Sequence, residues 1–289
     1  TTALAALAIS AQLAMAGPET VSGPGVNPEC FAPWSADTKY FQWEAKEGPY
    51  RVAIVNGFVG NTWRIQMIKT AKAYAEDPAI KDKISELKVV STGTDAPAQL
   101  GAIEDFINQG FDAIVTIAVS PDGFDRVIRL ADRNNVVLVP FDNVLDTDKV
   151  MQVNEDQLTM GRMWAEFALE ELKAKGVTSG KILEVRGLPG NSVDRDRSIG
   201  INEVFEADGG DWEMVSVVGN WDDGTTQKVV ADAIAVHGQF DAVVGQGGSN
   251  GVIQALKDAG HPWVPVAGES ENGYRKAIAQ YSDEGLKGI

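Results

Sequence analysis

From residue 50 onward the chain repeats one pattern: a short apolar run, a turn, then roughly 10 to 20 residues with helical spacing of their apolar positions. Apolar windows at 51–55, 87–90, 113–117 and 136–140 read as buried strands, and the periodic stretches 62–76, 96–109 and 123–133 between them read as helices. After a longer periodic stretch at 157–175 the series starts again. Strands are expected at 181–185, 214–218, 241–244 and 264–267, with helices at 195–207, 225–236 and 250–259, and 285–289 begins one further strand. Two strands separated by a helix cannot form a hairpin, so they pair in parallel through right-handed crossovers. Two such series predict an α/β protein of two Rossmann-like lobes with parallel sheets joined by a hinge. The first lobe is placed at 50–154 and the second at 155–289.

The segments before this region differ in texture. Residues 3–16 are an apolar, small-residue run closing on Ala14-Met15-Ala16, followed by Gly17 and Pro18, the signature of an export-signal cleavage site. Residues 1–16 are therefore read as the remnant of a signal peptide, and the periplasm is the expected location. Residues 17–49, rich in Gly and Pro with Trp34, Tyr40, Phe41 and Trp43, read as an N-terminal arm over the folded body.

Charge narrows the partners. The chain sets 25 Lys+Arg against 41 Asp+Glu, a net charge of −16, and has no long basic run. Such a field repels phosphate backbones and anionic headgroups, so nucleic acid and membrane surfaces are excluded as partners. The single Cys30 permits neither an intrachain disulfide nor a cysteine-based zinc site. His237 and His261 lack the helical spacing of a ligand pair and are read as structural. No metal and no cofactor is called for.

In open parallel sheets ligands bind beyond the carboxyl ends of the strands. The residues there read Gly57 to Trp63 after the first strand, Phe141-Asp142-Asn143 after the fourth, and Gly187 to Arg197 in the second half. Asn220-Trp221-Asp222, Gln246 to Gly251 and Gly268-Glu269-Ser270 complete the set. Carboxylates, carboxamides and an arginine can donate and accept to hydroxyls, while an indole packs on the apolar face of a sugar ring. Asn, Asp and Gly also make ordinary turns. Turn chemistry does not call for Trp63 or Trp221.

In their order these segments resemble the type I periplasmic substrate-binding proteins of sugar ABC transporters, the ribose- and galactose-binding group. The stretches that carry the resemblance are 52–63, 136–143, 184–197 and 241–246. It implies a non-catalytic protein that captures a small sugar or polyol between two lobes and delivers it to a membrane permease, acting as a monomer. By position, it implies that Asn61 bonds a hydroxyl, Trp63 stacks on the ring beside Arg64, and Asp142 accepts from hydroxyls next to Asn143. It further implies that Arg197 donates from a second-lobe loop in preference to Arg195, that Trp221 stacks on the opposite ring face, and that Glu269 replaces the family's acceptor Asp. Glu155 falls at the first crossover between lobes. Gly247 departs from the family's Asn, so that Gln246 or Ser249 takes over or the pocket gains room. The resemblance also implies that the first lobe is incomplete, its return segment lying beyond residue 289.

Other readings carry expectations of their own. Gly247-Gly248-Ser249-Asn250-Gly251 matches the G-x-S-x-G elbow of serine hydrolases, for which His261 is the one histidine downstream. The same segment misses the dinucleotide fingerprint G-x-G-x-x-G by one position, and no phosphate-loop motif for ATP occurs. A sugar-responsive repressor of the same fold needs a helix-turn-helix before residue 50, where the export signature stands instead. A sugar-sensing receptor ectodomain shares every feature named for the transport protein.

Overall fold

In the computed structural model, residues 17–25, 33 and 35–289 are described. The signal-peptide reading of 1–16, together with Cys30 and Trp34, lies outside them. The arm contains a small antiparallel pair, β1 (Glu19–Val21) with β2 (Tyr40–Gln42), which the sequence pattern did not signal. It lies along the first lobe, where Lys39 pairs with Asp148 and Lys46 with Asp112.

The first sheet contains β3 (Tyr50–Asn56), β4 (Ile84–Ser91), β5 (Ala113–Ile117) and β6 (Val137–Pro140) in the order β4-β3-β5-β6, all parallel. Helices α1 (Thr62–Ala75), α2 (Ala96–Asn108) and α3 (Asp125–Arg133) make the crossovers. Val55, Ile114 and Leu138 from the strands pack with Ile103 and Phe106 of α2 and Val127 and Ile128 of α3 in one buried core. Leu145 and Val150, beyond β6, belong to the same core and hold the crossing segment to the first lobe.

Helix α4 (Gln157–Ala174) opens the second lobe and leads to β7 (Ser179–Arg186), α5 (Ser192–Asp208), β8 (Asp211–Val218) and α6 (Asp223–His237). Then follow β9 (Ala242–Gly245), α7 (Ser249–Asp258), β10 (Pro265–Gly268), α8 (Asn272–Tyr281) and β11 (Lys287–Gly288). This sheet runs β11-β10-β9-β7-β8, again parallel. Ile182, Ala242 and Val244 face α4 and α5, while Leu183, Val185 and Val243 face α6, α7 and α8. Burial on both faces explains why these strands are continuous apolar runs and do not alternate.

Both sheets reverse their strand order at the first strand, between β3 and β5 and between β7 and β9. A crevice opens at such a switch point beyond the strand ends, and here the two crevices face each other. Strands matched the sequence expectations to within a few residues. Helix α8 was not anticipated, and α5 begins three residues before the expected Arg195.

Candidate functional site

A cleft of about 120 Å³ lies between the lobes, and the candidate ligand contacts from both halves of the sequence line it. The N-cap and first turn of α1 supply Asn61, Trp63 and Arg64; the segment after β6 supplies Asp142, Asn143 and Glu155. From the second lobe come Arg197 on α5, Trp221 after β8, Gln246 after β9 and Glu269 after β10.

Asn61 caps α1, its Oδ1 accepting the Arg64 N–H at 2.9 Å, while its Nδ2 donates across the cleft to the Trp221 carbonyl at 3.4 Å. Trp63 is 45% exposed, so its indole stands open at the cleft wall. Arg64 is buried; its Nη1 donates to Asn56 Oδ1 at 3.0 Å and its Nη2 lies 3.7 Å from Asp142 Oδ2. Burial lowers this guanidinium to about 10 against the pull of Asp142, so it remains charged at neutral pH. Burial also raises the Asp142 carboxyl to about 6; Arg64 and Arg197 pull it down, Glu155 and Glu269 push it up. Asn143 donates to the Ala118 carbonyl at 2.6 Å, which fixes its amide and leaves Oδ1 buried without a partner among the described residues.

The second-lobe arginine is not in a loop. The loop expected around 194–197 is the opening of α5, capped by Asn191, whose side-chain oxygen draws the helix start back to Ser192. Within that first part of the helix the side chains diverge. Asp194 accepts from Arg186 Nε and Nη2 and from the Gly187 N–H. Arg195 reaches the rim and pairs with Asp146 at 2.8 Å and 3.1 Å. Arg197 turns inward, donating to Gln157 Oε1 at 2.7 Å, to the Gln246 carbonyl at 2.9 Å and to Glu269 Oε1 at 2.6 Å. Gln246 donates to the Asp194 carbonyl at 3.0 Å, which leaves its buried Oε1 unpartnered among the described residues.

Trp221 is only 8% exposed, more enclosed than a stacking platform on an open wall. Its backbone is left-handed, φ 56°, and its indole lies against two glycines. A Cβ at Gly187 would sit 2.2 Å from its Nε1, and one at Gly247 2.7 Å from its Cδ1. Gly247 also has φ 155°, so the family's Asn cannot stand there without displacing the tryptophan. The space gained at position 247 is filled by Trp221. Gln246 lines the cleft and Ser249 does not.

Three lining residues escaped the sequence reading: Met160, Val193 and Glu271. Glu271 accepts the N–H groups of Gly248 and Ser249 at 3.3 Å and 2.7 Å, and burial raises its carboxyl. Its signal was available, since it follows Glu269 by two in the same post-strand turn. Met160 and Val193 are apolar positions on helices, which a search for polar post-strand residues passes over.

The elbow reading fails on geometry. Ser249 opens α7 and His261 follows that helix at its far end, about 15 Å away for ten residues. His261 Nε2 accepts the Phe240 N–H at 2.9 Å and Nδ1 lies 2.7 Å from the Pro262 carbonyl, which makes it a Nδ1–H tautomer tied into the fold.

A family model for the periplasmic binding protein domain matches residues 52–285. The chain belongs to this family. Its named relatives are binding proteins. It is 28% identical over 187 residues to the xylitol-binding protein of Mycolicibacterium smegmatis, covering 63% of this chain and 52% of that one. It is 29% identical over 119 residues to the ribose import binding protein RbsB of Bacillus subtilis, covering 41% and 38%. The match thus spans about half the length of the first relative and less of the second. Among solved structures, a solute-binding protein from Thermobispora bispora superposes with a TM-score of 0.71 at 26% identity, covering 82% of this chain and 72% of that one. The arabinose transporter component from Shewanella sp. ANA-3, bound to L-arabinofuranose, gives 0.71 at 23% identity, covering 80% and 77%, and so shares the fold.

Proposed function

We propose that this protein is the periplasmic substrate-binding component of an ABC transporter, exported by the segment at 1–16, and that it captures one small sugar or polyol as a monomer and delivers it to a membrane permease. The lobes are assigned to 50–154 and 155–289. The observation that carries the reading is the convergence of polar side chains from both halves of the chain on one cleft, three of which hold a buried atom with no partner among the described residues: Asn143 Oδ1, Gln246 Oε1 and Trp221 Nε1. Each costs about 1–3 kcal/mol when left unmade, and a ligand hydroxyl, which both donates and accepts, satisfies either kind. The open face of Trp63 supplies the apolar counterpart for the C–H groups of a sugar ring or an open polyol.

These groups come from both lobes, so only the closed arrangement presents them together. The ligand then stabilises closure by its differential contacts, and a permease can read the closed state. The relatives' names supply the panel: xylitol, ribose, galactofuranose and L-arabinofuranose. Calorimetry is expected to give saturable 1:1 binding to at least one of them. Trp63→Ala is expected to weaken that binding roughly tenfold, about 1.4 kcal/mol. Absence of heat with every neutral sugar and polyol tested rejects the reading.

A further inference from the structure

Among the described residues, the buried unpartnered atoms of the cleft-lining side chains are two acceptors, Asn143 Oδ1 and Gln246 Oε1, and one donor, Trp221 Nε1. The guanidiniums of the cleft are engaged: Arg64 by Asn56 and Asp142, Arg197 by Gln157, the Gln246 carbonyl and Glu269. The amide N–H₂ groups of Asn61, Asn143 and Gln246 each donate to a backbone carbonyl. Those bonds fix which end of each amide is turned away, and at Asn143 and Gln246 the end left over is an acceptor.

Charge leans the same way. Asp142, Glu155, Glu269 and Glu271 line the cleft against two arginines. Arg64 faces Asp142, Arg197 faces Glu269, and the N–H groups opening α7 hold Glu271. Glu155 is exposed at the wall with no hydrogen bond or ion pair among the described residues. It acts electrostatically on Asp142, whose raised carboxyl is what a nearby unmatched negative charge produces in addition to burial.

An acid entering this cleft meets carboxylates and, among the described residues, no free cation. A hydroxyl brings one donor, whereas an ammonium brings three and the missing positive charge. We infer that the cleft favours amino-substituted polyols or sugars, the ammonium lying between Asp142 and Glu155, and excludes sugar acids. This inference rests on the polyhydroxy-ligand reading above and names the ligand class within it.

The test is calorimetry at pH 7 on the full chain with two matched sets: xylitol, 1-amino-1-deoxyxylitol and xylonate; D-galactose, D-galactosamine and D-galacturonate. In at least one set the amine is expected to bind tenfold or more tighter than its neutral parent, with no saturable heat from the acid. n-Butylamine, which carries the charge without the hydroxyls, is expected not to bind. In Glu155→Gln the amine-to-parent affinity ratio is expected to fall toward one. A neutral parent that binds as tightly as its amine, an acid that binds, n-butylamine binding as tightly as the amines, or a ratio unchanged in Glu155→Gln overturns the inference and leaves the polyhydroxy reading standing. Silence from both complete sets overturns the inference, and the polyhydroxy reading falls with it when ribose, galactofuranose and L-arabinofuranose are silent too.

Discussion

Asp142 concentrates the cost of this site in one residue. Its carboxyl titrates near 6 in the folded chain, above its ordinary 3.8. The folded state therefore binds this proton more tightly than the unfolded state. Its contribution to stability is fully present below pH 3.8 and is lost as pH rises through about 6, by about 3 kcal/mol. Urea unfolding of the ligand-free protein between pH 4 and 7 is expected to show this loss relative to Asp142→Asn, whose side chain does not titrate; parallel curves for the two proteins reject it. Ligand donors favour the ionised carboxylate against Glu155 and Glu269, with Arg64 and Arg197 already in place. Affinity is accordingly expected to rise with pH through the same window. Arg197 behaves differently, because three acceptors converge on one planar fork. Arg197→Ala is expected to destabilise by about 3 kcal/mol, and Arg197→Lys to recover little, since an ammonium cannot reproduce the fork. Equal midpoints for Lys and wild type in urea contradict this.

At the scale of elements, Arg197 stands where it does because two helices touch backbone to backbone. A Cβ on Gly161 of α4 would lie 2.2 Å from the Arg197 carbonyl, and one on Gly200 of α5 would lie 2.2 Å from the Leu158 carbonyl. This crossing brings Gln157, at the start of α4, against the Arg197 guanidinium. Gly200→Ala forces the helices apart at a contact made of main chain. It is expected to cost about 1–3 kcal/mol in urea unfolding and to weaken ligand binding at a residue that touches no ligand; unchanged affinity in a folded Gly200→Ala protein contradicts the coupling. The starts of α1, α2 and α4 were legible for a plainer reason, while those of α5 and α6 were expected three and two residues late. Asn61, Asp95, Asp156, Asn191 and Asp222 each cap a helix with a side-chain oxygen, so turn chemistry and site chemistry overlap at Asn61 alone among the candidates.

Across the whole molecule the lobes meet through few groups. Arg195 of α5 pairs with Asp146, which lies beside the first-lobe core residue Leu145. Asn191 donates to the Ala118 and Val119 carbonyls at 3.1 Å and 3.2 Å, and Asn61 to that of Trp221. If closure accompanies binding, these contacts favour the closed state before a ligand arrives. Asp146→Ala and Arg195→Ala are each expected to weaken ligand affinity severalfold, and the double variant no further than either single one. Small-angle scattering is expected to show a larger ligand-free radius of gyration in both. Additive effects on affinity indicate that the pair does not bridge the lobes in solution.

The alternation of strands and helices, their parallel pairing and most of the cleft residues were legible in the sequence, because periodicity and the strand-end rule are local statements; Met160, Val193 and Glu271 were not. What each of those residues does in the cleft was not. That Arg197 points inward while Arg195 bridges the rim depends on how α5 is capped and rotated against α4. That Gly247 makes room for Trp221 depends on a left-handed turn at 221, a segment away in sequence. The balance of donors to acceptors depends on which carbonyls the amides of Asn143 and Gln246 reach. Each is a contact between distant segments, settled only when the lobes fold and pack, and no single sequence window holds both partners.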